Sequence, residues 1–188
     1  MQPTRAFADL SPDTPVWRTA EAYFLVDSGR LEEARALIER HQWDPVRLSE
    51  SVWSAMSAAH LSECALRLHD PALAGRCLEV LEKVSGGVVH FYISSIGPAD
   101  HFLARARLAL GDVDGAIDAH EGAEAQCVRH GARAWLYLGR LGMVEALVQR
   151  GRSGDLERAA ALRAEAREMA KEDGATSVAT RLAALRVP

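Results

Sequence analysis

The side chains able to do chemistry in this 188-residue chain are seven histidines, three cysteines, 26 acidic residues and an arginine-rich basic set. Two sets recur at a step of 41 residues: Thr19, His60 and His101, and Tyr23, Cys64 and Arg105. If that step is the repeat of a helical stack, equivalent positions align, and the repeat resemblance given below implies that both sets face one groove. Tyr23, His60, His101 and Arg105, with Trp135 as an aromatic anchor, are then the candidate binding residues, and Asp27 and Arg67 lie near the groove's edge. Such a groove suits a protein or peptide segment, or a small anionic ligand, because cationic donors form strong charge-assisted hydrogen bonds. The alternative is that each polar residue is solvated or satisfied locally.

Other chemistries find less support. Helices pack 8–10 Å apart, so His60 and His101 could share an ion, but no third ligand stands in register and no metal is expected. His90 and His120 read as structural, His120 as a core histidine with one nitrogen satisfied. Glu32, Glu33, Glu63, Glu79, Glu82, Glu165 and Glu168 sit at helical spacing beside arginines, the pattern of a solvated, ion-paired face. Cys64, Cys77 and Cys127 include no C-x-x-C and read as small buried hydrophobes. No Ser/His/Asp order, H-E-x-x-H, G-x-S-x-G or phosphate-cradling G-x-x-x-x-G-K-[ST] occurs, so neither catalysis nor a cofactor is expected.

The charge balance narrows the partners. With Lys+Arg 22 against Asp+Glu 26, the chain lacks the basic field that supplies most non-specific nucleic-acid affinity, so any DNA contact belongs to a partner. Val84 to Ala99, the longest uncharged run, is too short and too glycine-broken to span a bilayer, and no apolar leader follows Arg5. A cytoplasmic location is expected, with an oligomer open.

The elements that must position these residues are helices. The chain is 48% hydrophobic and contains no asparagine, while alanine, leucine, arginine and glutamate abound. Gly29-Arg30-Leu31, Asp70-Pro71-Ala72, Gly111-Asp112-Val113 and Gly154-Asp155-Leu156 each divide two apolar-periodic stretches. A small residue follows each turn at the same phase, Ala34, Gly75, Ala116 and Ala159, where two helices would cross closely. The reading is all-α: a right-handed superhelical stack of antiparallel hairpins with about nine helices. One domain, 1–188, holds repeats at about 14–42, 46–84, 98–130 and 132–173 and a capping helix at 176–186. Asp70, Asp112 and Asp155 are expected N-caps, and Gly131 a left-handed C-terminal residue. The run from Ser85 to Gly97 is too β-branched for a solvated loop and too glycine-bounded for a helix. It reads as an extended or short helical connector, or as the wall of a ligand groove.

Leu103-Ala104 with Gly111-Asp112-Val113-Asp114-Gly115-Ala116-Ile117 and Ala123 resembles the tetratricopeptide repeat, as does Ala22 with Gly29-Arg30-Leu31-Glu32-Glu33-Ala34 and Ile38. The step of 41 to 43 exceeds that family's usual 34 by about two helical turns. Together with Gly97-Pro98-Ala99-Asp100, His130-Gly131-Ala132-Arg133-Ala134-Trp135 and Arg150-Gly151, it is similar to the C-terminal repeat regions of large bacterial ATP-binding regulators carrying a LuxR-type helix-turn-helix. The resemblance implies a non-catalytic interaction module linked to transcription regulation; a small-molecule sensor, with ligand held between the groove and the Val88 to Ile96 segment, is the alternative. On the first reading, replacing Arg105 or His101 weakens partner capture and leaves the unfolding midpoint nearly unchanged.

Overall fold

Where alanine and leucine recur at helical spacing between glycine or aspartate turns, helices form. A computed structural model of the chain describes Asp9 and residues 14–43, 53–91 and 94–186; the expected start of the second repeat, 46–52, lies outside the described residues. Among the described residues there are nine α-helices: α1 (Pro15–Asp27), α2 (Leu31–His41), α3 (Ser54–Leu68), α4 (Pro71–Leu81), α5 (Ala99–Ala109), α6 (Val113–His130), α7 (Arg133–Arg150), α8 (Asp155–Glu172) and α9 (Thr176–Ala184). None is long and apolar enough to cross a membrane. The fold is an all-α helical stack. α1, α3, α5 and α7 pack successively side by side, and each even-numbered helix from α2 to α8 packs against the odd-numbered one before it.

The caps explain most boundaries. Asp70 accepts from the Leu73 N–H at 2.9 Å with Pro71 at the first helical position, and Asp112 accepts from the Gly115 N–H at 3.0 Å. Gly131 closes α6 at φ 64°, as expected. Asp155 departs from expectation: it is the first residue of α8, not its cap. Its carboxylate accepts from the Arg152 N–H at 2.9 Å and twice from Arg150, which holds it down to about 2.

The crossing positions follow the repeat in three places out of four. Ala34, Ala116 and Ala159 are fully buried, whereas Gly75 has open space where a Cβ would stand and the buried small residue is Ala74. Trp17, Trp43, Trp53 and Trp135 all pack against the main core, filling gaps between helices.

The segment after α4 is extended and packed against the stack, as one reading of the sequence has it, and its two extended stretches pair with each other. A 3-10 turn (Glu82–Val84) leads into an antiparallel hairpin, β1 (Val88–Phe91) with β2 (Ser94–Pro98), and the register slips between Val89 and His90. The β-branched run satisfies its backbone by pairing with itself, which a helix-based stack cannot do for it. The hairpin rests on α3, α5 and α6, with Val89 and Pro98 buried and Val88 and His90 exposed.

Candidate functional site

Arg105, on the second turn of α5, is 3% exposed. Its Nε and Nη2 donate to the two oxygens of Glu63 on α3 at 2.6 and 3.2 Å, and its Nη1 donates to Glu145 on α7. A single planar cation therefore ties three helices together. Burial disfavours its charge, yet the two carboxylates outweigh that and hold the guanidinium well above its usual range. Burial likewise pushes the Glu63 carboxyl up, but Arg105 overrides it and leaves Glu63 below the ordinary glutamate value.

The other candidates surround this cluster. Thr19 directs its hydroxyl proton at Val16 O (3.0 Å), so its oxygen accepts from His60 Nδ1 at 3.2 Å. Burial brings His60 down to about 4, so it is neutral at physiological pH. Tyr23 stacks at a tilt on His60 with centroids 5.7 Å apart, and burial, reinforced by Glu63, raises its phenol to about 12. His101 is also brought to about 4, first by burial and then by Arg105. Its ring meets Phe102, His120 and Trp135 edge-on at 5.0, 5.6 and 5.7 Å, and its Nδ1 is buried without a hydrogen-bond partner.

Tyr23, His101, Arg105 and Trp135 thus line one cavity, with Glu63 and Arg181. Its volume of about 30 Å³ is the space of a single water molecule. The last helix helps to enclose it. Arg181 on α9 donates to Asp27 on α1 at 2.8 Å, joining the two ends of the chain across 154 residues, while Leu182 is fully buried among Tyr137, Leu141, Ala166 and Ala170. α9 therefore does more than cover the open end of the stack. It reaches over the inner face to the first helix.

Several expectations change at this site. Cys64, in register with Tyr23 and Arg105, turns into the core at 0% exposure with Leu25, Val26 and Leu68, and the neighbouring Glu63 takes the inner face. Glu63 is consequently not part of a solvated acidic face. Arg105 presents no free cation, because its donors are committed to carboxylates, so its replacement should strike stability as well as binding. His120 has neither ring nitrogen bonded, instead of one. Its ring lies against the backbone of Gly142, where an added Cβ would come within 2.5 Å of Cε1 and 3.2 Å of Arg105 Nη1. Glu145 and Gly142 escaped the sequence reading; a step of about 41 beyond Ala104 and His101 was the available signal.

A second cavity, of about 130 Å³, lies under the hairpin between Val88, Gly97 and Pro98 on one side and Cys127, Ala132 and Trp135 on the other. Trp135 lines both cavities. Its indole presses on Gly97, at φ 117°, where a Cβ would stand 2.5 Å from Cδ2; only glycine permits both that backbone and that approach. Among the described residues no group of three His, Cys, Asp or Glu side chains is placed to hold a metal ion. Comparison with known proteins finds no family model, curated protein or solved structure that matches the chain.

Proposed function

We propose that the chain is a non-catalytic interaction module, regulatory in role as its likeness to the repeat regions of LuxR-type regulators implies, whose inner face receives a short amphipathic helix from a protein partner. The observation that carries this reading is the seat of α9. A nine-residue helix offering one buried leucine and one arginine lies on that face, its leucine enclosed by α7 and α8 and its arginine on Asp27. Burying Leu182 stabilises by about 2 kcal/mol, the partly buried Val178, Ala179 and Leu185 pack beside it, Arg163 donates to the Leu185 carbonyl at 2.6 Å, and the half-exposed ion pair adds less than about 1 kcal/mol; a partner helix of the same chemistry competes for that seat. Catalysis has no comparable support, since burial keeps His60, His101 and His120 neutral and Arg105, the one buried cation among the described residues, is neutralised by its own carboxylates.

The test is a fluorescence-anisotropy titration with a labelled peptide of residues 174–186 against the full chain and its Arg181→Ala variant. The tethered α9 competes at a high effective concentration, so saturable binding should be several-fold tighter to the variant. Adding Asp27→Ala should abolish the advantage of a peptide that carries the arginine over one that lacks it. Absence of saturable binding to either chain removes the proposal.

A further inference from the structure

The hairpin cavity is independent of the seat of α9 and has a different chemistry. It is open to solvent on one side, and its volume of about 130 Å³ is close to that of the enclosed cavities, of about 150 Å³, that accept benzene. Its lining contains no Asp, Glu, Lys or Arg; Val88, Pro98, Cys127, Ala132 and the Trp135 indole supply most of the wall. A charged ligand would be desolvated there without compensation. The Cys127 thiol is raised by burial, so it stays protonated and is no nucleophile.

One polar group in that wall is unsatisfied. Gln126, 8% exposed, donates from Nε2 to the carbonyls of Gly86 and Gly87 at 3.3 and 3.4 Å. Those two acceptors fix the amide's orientation, since the reverse would set Oε1 against two carbonyl oxygens. Oε1 is left buried with no partner. A buried acceptor without a donor costs about 1–3 kcal/mol, and a ligand that brings a donor recovers it. Oε1 is buried within the wall, and presenting it to a ligand means turning the soft terminal amide torsion at the expense of the two long Nε2 bonds, of 3.3 and 3.4 Å.

We propose that this cavity binds a small uncharged aromatic molecule of benzene size carrying one hydrogen-bond donor, the phenol class, with its ring against Trp135 and its donor on Gln126 Oε1. The hairpin is then the ligand's lid-side wall, which accounts for an apolar, β-branched segment in an otherwise helical chain. Ser95 and His130, both exposed, complete the lining.

The experiment is a two-dimensional amide and indole NMR titration of the full chain with phenol, toluene and benzoate. Phenol should give saturable shifts centred on Val88, Gly97, Cys127 and the Trp135 indole, with Kd below about 1 mM. Toluene should bind the same residues about ten-fold more weakly, and benzoate not at all. Gln126→Met should bring phenol down to the level of toluene. Ala132→Leu, which fills the cavity from its edge, should abolish both and provides the check if the Gln126 variant disturbs the hairpin. Linear, unsaturated shifts spread over the surface would overturn the site. Equal loss of phenol and toluene in Gln126→Met, or benzoate binding as well as phenol, would overturn the assigned ligand class.

Discussion

The inner face and the hairpin cavity share Trp135 as a wall and otherwise contrast. The inner face is rich in titratable groups, and its charged ones spend their bonding capacity on one another, Arg105 on Glu63 and Glu145 and Arg181 on Asp27, with His60 on Thr19, while His101 and His120 are held neutral by burial with ring nitrogens unbonded. What remains is room for one water. The hairpin cavity has almost no chemically conspicuous residue, yet it has the volume of a small ring and a buried acceptor without a donor. Polar residues in register therefore mark where helices are tied together. The space for a ligand is made by glycine, alanine and valine, whose contribution is shape.

This contrast can be broken in order of effect. Titration comes first. His60 and His101 are held near 4 when folded, below the ordinary histidine value of about 6.5, so the unfolded chain takes up more protons between those limits. Their contribution is complete above pH 6.5 and is lost as the pH falls through 4, on the order of 5 kcal/mol for the pair. Urea unfolding at pH 7, 6, 5 and 4 should show it; a flat profile would mean that the inner face is wet. Next, Arg105→Met strands two carboxylates and should cost about 3–5 kcal/mol by the same assay. A cost below about 1 kcal/mol would restore Arg105 as a free groove residue.

Two glycines of α7 sharpen the comparison at smaller scale. Gly142→Ala drives a methyl into His120 and should destabilise by about 1–3 kcal/mol despite alanine's better helix propensity. Gly139→Ala, three residues away with nothing within 4 Å of the added carbon, should stabilise by about 0.5–1 kcal/mol. Thermal unfolding of the two variants side by side separates packing from propensity. Smallest is Arg181→Ala, whose part-exposed ion pair should contribute less than about 1 kcal/mol to the whole chain while loosening α9 selectively.

Much of the fold was legible because helix signals are local. The turns at Gly29, Asp70, Gly111 and Gly154 and the buried Ala34, Ala116 and Ala159 were readable from spacing, since each reports one hairpin's own geometry. The hairpin strands were not, because pairing Val89 with Gly97 depends on contacts between chain segments and on Trp135 selecting glycine there. At the inner face the 41-residue step correctly joined Thr19 to His60 and brought Tyr23, His101 and Arg105 together. It failed at Cys64 because a single-residue change of phase turns a side chain from groove to core, and Glu63 fills the place. Glu145 could not be assigned a role until its partner's burial was known, and Arg181 meets Asp27 across nearly the whole chain, a distance at which sequence pattern carries no information.

Whether α9 occupies its seat displaceably is decided by native-state amide hydrogen exchange. If α9 is a displaceable occupant, its amides, Leu182 included, should exchange through a local opening well below the free energy of global unfolding, and Arg181→Ala should speed them about three-fold or more without altering α5 and α7. Exchange of α9 only through global unfolding, with protection equal to that of α5, would contradict it and make the last helix a fixed part of the core.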